Sequence, residues 1–134
     1  MKLEEYLAGK KEIVLGFLGG SITEGAGASS GERNFCTLVT QWFTKQYPEN
    51  SFQMVNAGVG GTDSSLGAYR VERDLLIHRP DVVFVEFAVN DTDMPYERGC
   101  ATMEGIVRKI LRQNKETRII FVYTLTQRLI DRYY

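Results

Sequence analysis

The chain has 134 residues, 43% of them apolar and 25% charged, which is the composition of one soluble globular domain. Its 17 acidic and 16 basic residues nearly cancel, so we expect neither a nucleic acid nor a membrane surface as partner. Glu4 and Glu5 stand where a signal peptide would be apolar, which favours a cytoplasmic location for this chain and leaves that of a longer parent protein open.

Apolar segments and helical repeats alternate along the chain. Strands are predicted at 13–18, 52–55, 82–87 and 119–123, and helices at 35–46, 64–78 and 98–114. The first strand is apolar on both faces, as a sheet covered by helices on both sides requires. Alternation of strand and helix predicts βαβ units, and therefore an α/β fold: a three-layer αβα domain with a parallel, flavodoxin-like sheet.

All three predicted helices carry apolar residues at helical spacing, which in the third are Ile106, Val107, Ile110 and Leu111. In the first, the stripe consists of Leu38, Val39, Trp42 and Phe43. In the second, Ala68, Val71 and Leu75 are predicted to face the core, whereas Arg70 and Asp74 are predicted to form a weak ion pair on the outer surface.

The chain contains no linker or repeat, so residues 1–134 are predicted to be a single domain. It ends soon after the fourth predicted strand, where a further helix is predicted to begin. We therefore expect the domain to be incomplete at the C-terminus. Apolar surface left near residues 119–134 would then favour a homodimer. Cys36 and Cys100 could form a disulfide, although two separate thiols are the commoner arrangement.

Three polar segments follow predicted strands and carry candidate catalytic groups. Because the carboxyl ends of parallel strands meet at one edge, Ser21, Gly61 and Asn90 are expected in the same crevice. A serine hydroxyl can attack a carbonyl if a base takes its proton. A glycine N–H and an asparagine amide can both donate to the oxyanion that forms. Each segment alone could also be an ordinary turn or helix cap.

In order and spacing, the segments 18–25, 56–61 and 85–91 resemble the first three blocks of the SGNH (GDSL-type) hydrolases. The resemblance implies that Ser21 is the nucleophile. It also implies that the N–H groups of Ser21 and Gly61 and the side-chain amide of Asn90 form the oxyanion hole. Gly20 stands where the family often has aspartate, and Ala88 replaces a glycine.

The resemblance further implies ester cleavage through an acyl-enzyme, by a Ser-His-Asp mechanism that needs no metal or organic cofactor. The family's fourth block, Asp-x-x-His, is absent from these 134 residues. The base and acid would therefore lie beyond Tyr134 or be truly missing, and this chain by itself is expected to be nearly inactive.

The remaining polar groups are predicted to be structural. His78 is the single histidine, which makes a histidine-based metal site improbable, and it lies before a strand rather than after one. We expect it to cap a helix end, far from Ser21. Glu86 could be catalytic, but a buried carboxylate that holds a loop through hydrogen bonds is favoured. Turn or cap roles are predicted for Asp63, Asp91 and Asp93.

Other nucleotide and hydrolase motifs do not fit. No lysine lies between Lys11 and Lys45, so the first glycine loop is not a P-loop, and the glycine spacing at 25–31 misses the dinucleotide motif. The Gly-x-Ser-x-Gly elbow of α/β-hydrolases is also absent.

We therefore predict a serine ester hydrolase that removes small acyl groups, acetyl above all, from a small-molecule ester. The versions of the second and third blocks found here are similar to those of the branch that acts on saccharides, and no long apolar lid favours lipids. The alternative is a non-catalytic protein that uses the same fold for binding or assembly and lacks the base.

Overall fold

The computed structural model describes residues 2–125, 127 and 130–131. Within them, the chain forms four strands and five α-helices. In chain order these are α1 (Leu3–Ala8), β1 (Glu12–Gly19), α2 (Ser21–Glu24), α3 (Phe35–Gln46), β2 (Ser51–Gly58), α4 (Ser64–Asp74), β3 (Val82–Glu86), α5 (Tyr96–Gln113) and β4 (Arg118–Phe121), with 3₁₀ turns at Gly31–Arg33 and Leu76–His78.

The four strands form one parallel sheet in the order β2-β1-β3-β4. Gly19 at the end of β1 is aligned with Gly58 on β2 and with Glu86 on β3. The carboxyl ends of three neighbouring strands therefore finish at the same level, and the loops that follow them start side by side. The predicted parallel α/β sheet is confirmed.

Helices cover both faces of the sheet, which confirms the predicted three-layer αβα architecture. On one face, α1 and α3 pack against β1 and β3, with Phe17 and Phe84 stacked at 4.8 Å between ring centroids. On the other face, α4 and α5 pack against the same two strands through Val71 and Ile106. Alternating side chains of each central strand enter the two cores, which is why these strands are apolar throughout.

A buried carboxylate fastens the N-terminal helix α1 to the amino edge of the sheet. Asp81 accepts hydrogen bonds from Lys10 Nζ at 2.7 Å, Val14 N–H at 2.8 Å and Tyr6 Oη at 3.2 Å. The bond to Asp81 raises the pKa of Lys10, and burial raises that of Tyr6. This helix was not predicted, because it has six residues and only two of them are buried.

Several details of the sequence prediction were wrong. Arg70, expected on the outer surface of α4, is only 6% exposed, so its ion pair with Asp74 is not a surface pair. Leu38 and Trp42, expected in the core, are about half exposed, and Cys36 is buried beside Phe43 instead. The helix 64–78 ends at Asp74 and continues as a 3₁₀ turn.

Much of the helix predicted to begin after β4, and part of the expected self-association face at 119–134, lie outside the described residues. Cys36 and Cys100 are both free thiols, the first buried and the second exposed. No helix in the described part of the chain is long and apolar enough to cross a membrane.

Candidate active site

The turn after β1 places Ser21 as the first residue of the short helix α2. Gly20 N–H donates to Glu86 O at 3.3 Å, which ties this turn to β3, and Gly20 O accepts from Glu24 N–H at 3.0 Å. The N–H of Ser21 lies in the first turn, where no carbonyl of the helix can accept from it. Ser21 is half-buried at the carboxyl edge of the sheet.

The loops after β2 and β3 meet the same turn. A Cβ atom built on Gly20 would lie 2.6 Å from Asn90 Oδ1 and 3.2 Å from Thr62 O. A Cβ atom built on Gly60 would lie 3.7 Å from Ser21 Cβ. The structure therefore brings the segments of Ser21, Gly61 and Asn90 together.

Gly61 has a backbone conformation that favours glycine. Its φ of +73° lies in the left-handed region, and no other atom lies within 4 Å of the place where a Cβ would stand. The neighbouring Gly58 and Gly60 do not have positive φ. Gly58 is instead required by close approach, because a Cβ there would overlap the backbone of Thr23 and Glu24.

Two side chains, from Asn56 at the start of the second glycine segment and from Cys36 on α3, donate hydrogen bonds to the backbone of α2. Asn56 Nδ2 donates to Thr23 O at 2.7 Å, and Cys36 Sγ donates to the same oxygen at 3.3 Å. Burial raises the pKa of the Cys36 thiol to about 12, so this thiol stays protonated and unreactive. Both contacts fix the peptide two residues after Ser21.

Glu86 is 1% exposed and connects α2 with the segment that follows β4. Its carboxylate accepts from Thr23 Oγ1 at 3.4 Å and from Thr124 Oγ1 at 2.6 Å. These bonds match the predicted buried carboxylate that holds a loop.

Arg70 is the residue near the site that sequence reasoning missed. Its Nη2 donates to Gly19 O at 2.8 Å and its Nη1 to Ala57 O at 2.6 Å. A signal was present in the sequence: Arg70 follows Gly67 by three residues and precedes Asp74 by four, so it shares their face of α4.

Two of the acidic residues near the site have structural partners. Asp63 caps α4 by accepting from Leu66 N–H at 3.0 Å. Asp91 accepts from Ser64 N–H at 2.9 Å and so connects the loop after β3 to the start of the same helix. Both contacts are of the kind predicted.

His78 lies at the opposite edge of the sheet. It is exposed in the 3₁₀ turn before β3, whereas Ser21 follows the end of β1. The five residues of β3 separate the two edges, which corresponds to roughly 13 Å. His78 therefore does not reach Ser21.

Beside Asn90, a cavity of about 480 Å³ opens between β3, β4 and α5. Ala88 and Asp91, on either side of Asn90, line it together with Met94, Tyr96 and Tyr123. Among the described residues, no group of three His, Cys, Asp or Glu side chains could hold a metal ion.

Comparison with known proteins gives one family. The model of the GDSL-like lipase/acylhydrolase family matches residues 17–133, a span that contains Ser21, Gly61 and Asn90. No curated protein matches the sequence.

Several solved structures with a similar fold are described as esterases. A two-domain esterase (CEX) active on acetylated mannans is 38% identical, with a TM-score of 0.81 over 90% of this chain and 32% of its own. AlinE4, an SGNH-hydrolase family esterase, is 22% identical, with a TM-score of 0.69 over 84% of this chain and 59% of its own. The acetyl xylan esterase AlAXEase is 23% identical, with a TM-score of 0.64 over 81% of this chain and 57% of its own. The chain thus spans about a third of CEX and under two thirds of the other two.

Proposed function

Because the chain belongs to the GDSL-like lipase/acylhydrolase family, we propose that it carries the nucleophile and oxyanion hole of a carboxylic ester hydrolase. The meeting of three loops at Gly20 supports this proposal most strongly. Ser21 adjoins Gly20 in sequence, and Asn90 and Thr62 contact it in space. A hydroxyl and several N–H donors at one point are what acyl transfer requires.

The proposed reaction begins when Ser21 Oγ attacks the ester carbonyl carbon and loses its proton to a base. The carbonyl π electrons move to the oxygen, whose negative charge is stabilised by the N–H groups of Ser21 and Gly61 and by the Asn90 amide. Collapse of this intermediate expels the alcohol, which takes up a proton, and leaves an acyl group on Ser21. Water then releases the acid and restores the hydroxyl.

The base is proposed to be a histidine outside these 134 residues. His78 lies at the other edge of the sheet, and both carboxylate oxygens of Glu86 already accept hydrogen bonds. The proposed base corresponds to the Asp-x-x-His block that the family resemblance implies.

The proposed substrate is a saccharide that carries small acyl groups such as acetyl. CEX, the two-domain relative at 38% identity, is described as active on acetylated mannans. The exposed Glu24 ends α2, and the half-buried Asp63 and Asp91 lie on the loops after β2 and β3. Their charges would repel an anionic ester. A neutral sugar ester would not be repelled by these three carboxylates.

The proposal can be tested on the 134-residue chain by supplying the missing base as free imidazole. We expect p-nitrophenyl acetate with imidazole to add one acetyl group to Ser21, which intact-mass spectrometry and peptide mapping would detect. Without imidazole, acetylation should be far slower, because a serine hydroxyl is a weak nucleophile when no base accepts its proton. In the Ser21→Ala variant this peptide should carry no acetyl label. The p-nitrophenyl acetate that the variant still hydrolyses measures the reaction due to imidazole alone.

The proposed substrate class is tested by a separate competition experiment. Acetylated mannooligosaccharide should slow the labelling of Ser21, whereas the same oligosaccharide without acetyl groups should not. If the acetylated sugar binds while Ser21 is never acylated, with or without imidazole, the esterase proposal fails. The alternative of a non-catalytic binding protein is then correct.

A further inference from the structure

The guanidinium of Arg70 joins the ends of the two strands that precede the candidate active-site loops. It donates to Gly19 O, two residues before Ser21, and to Ala57 O, one residue before the glycine segment 58–61. Gly19 and Ala57 lie on adjacent strands, offset by one position in the register. One planar side chain therefore fixes two carbonyl groups at once.

The bond to Gly19 O fixes the peptide plane that leads into Ser21. This oxygen also accepts from Val59 N–H at 3.1 Å, and the N–H on the other side of the same peptide, that of Gly20, donates to Glu86 O. The plane is thus held on both sides. Any rotation at Gly19 would move the amide and the hydroxyl of Ser21 relative to Asn90.

The burial of Arg70 is costly for a residue that only stabilises the fold. Its side chain is 5% exposed, and within residues 2–125, 127 and 130–131 its Nε has no hydrogen-bond partner and its ion-pair partner is Asp74 at 3.3 Å. Taking a charge out of water costs several kcal/mol, and an apolar side chain of similar volume is often as stable or more so. A requirement for correctly oriented strand ends explains why a guanidinium lies here.

We propose that Arg70 is a positioning residue, which orients the peptides before Ser21 and before the glycine segment 58–61 so that the oxyanion donors converge. The catalytic part of this inference rests on the proposed esterase function. As a positioning residue, Arg70 does not touch the substrate. Substitution of Arg70 should therefore lower the rate of acylation and leave ester binding nearly unchanged.

The chain offers a matched control on the same helix. Arg73 also pairs with Asp74, at 2.6 Å, but its side chain is 81% exposed, and its guanidinium donates to this carboxylate rather than to the carbonyls of Gly19 and Ala57. The variants to compare are Arg70→Met, Arg70→Lys and Arg73→Met. Lysine keeps the charge but lacks the planar guanidinium that reaches two carbonyls. We therefore expect Arg70→Lys to show nearly the same loss of strand-end order and of acetylation rate as Arg70→Met.

Amide hydrogen exchange tests the positioning without any need for activity. In either Arg70 variant, the amides of Gly20 and Val59 should exchange at least about tenfold faster, while those of Leu15 and Phe84 in the core strands stay within about twofold. Arg73→Met should change none of them. If Arg70→Met does not fold, Arg70→Lys carries the test. Unchanged exchange at Gly20 and Val59 would overturn the inference.

Acetylation of Ser21 in the presence of imidazole tests the consequence. The rate at saturating ester should fall about 10²-fold in the Arg70 variants, since small misplacements at a reacting centre have effects of this size, with the half-saturation concentration unchanged. Faster exchange without slower acetylation would also overturn the inference. If the unsubstituted chain is never acetylated, the esterase proposal fails, and exchange alone decides whether Arg70 orients the strand ends.

Discussion

Gly20 packs directly against the side chain of Asn90, and no side chain fits between them. A Cβ on Gly20 would lie 2.6 Å from Asn90 Oδ1, well inside van der Waals contact. The sequence resemblance marked Gly20 as a departure from the aspartate that the family often has. In this structure the side chain of Asn90 occupies the space next to Gly20, so a larger residue at position 20 would require Asn90 to move.

Substituting Gly20 with alanine should therefore displace Asn90 and remove one oxyanion donor. We expect acetylation of Ser21 in the presence of imidazole to fall by about 10²–10³, the usual effect of losing one such donor. Thermal stability should change little, since Asn90 is only half-buried and can rotate away. Gly31→Ala is the control, because no atom lies within 4 Å of its added Cβ. Equal rates in both variants would contradict the prediction.

Asn90→Ala should cause the same loss by a direct route. We expect a decrease of about 10²–10³ in the acetylation rate, with ester binding nearly unchanged. If Gly20 acts through Asn90, the double variant Gly20→Ala/Asn90→Ala should be no slower than Asn90→Ala alone. Additive losses would show that Gly20 affects the site in some other way.

His78→Ala should leave acetylation of Ser21 unchanged, with or without imidazole. The reason is distance, because the length of β3 separates this imidazole from Ser21. The measurement is the release of p-nitrophenol, with Ser21→Ala as background. Brisk turnover by the unassisted chain that disappears in His78→Ala would show that His78 is the base and that the site is complete.

The two thiols should differ sharply in reactivity. At about pH 8, iodoacetamide should label the exposed Cys100 and leave Cys36 intact, because burial raises the pKa of Cys36 to about 12 and also blocks access. Mass spectrometry of the labelled peptides measures both sites. In urea both should react, and labelling of Cys36 in the native chain would contradict its burial.

The same thiol should make stability depend on alkaline pH. Because the folded-state pKa lies above the ordinary value near 9, the unfolded chain loses this proton first as the pH rises. Its contribution is therefore complete below about pH 9 and is lost progressively towards pH 12. Urea unfolding at a series of pH values should show a steeper decline in this window for the unsubstituted chain than for Cys36→Ala.

We also expect self-association through the β4 side of the sheet. β4 is the last strand in the sheet order, and Phe121, Tyr123 and Leu125 are all exposed there. Sedimentation velocity should show a concentration-dependent dimer that Tyr123→Lys weakens. Tyr69→Lys, on the exposed face of α4, should have no effect. A monomer at high concentration would contradict this expectation.

The sequence by itself determined the four strands, three of the five helices, the parallel sheet and the three candidate segments. These features depend on local patterns: two-sided apolar strands, helical repeats, and glycines followed by serine or asparagine. The bounds of α3 were predicted correctly at Phe35–Gln46, because its cap and its terminating proline both lie next to it in sequence.

Only the tertiary structure decided which polar groups are buried and what they hold. Arg70 could be placed on the surface by its charge or in the core by its spacing, and the deciding carbonyls, at Gly19 and Ala57, belong to two other strands. Likewise, the fit of Gly20 against Asn90 joins residues seventy positions apart. Local patterns cannot contain such contacts, because the side chains meet only when the strands have assembled in register.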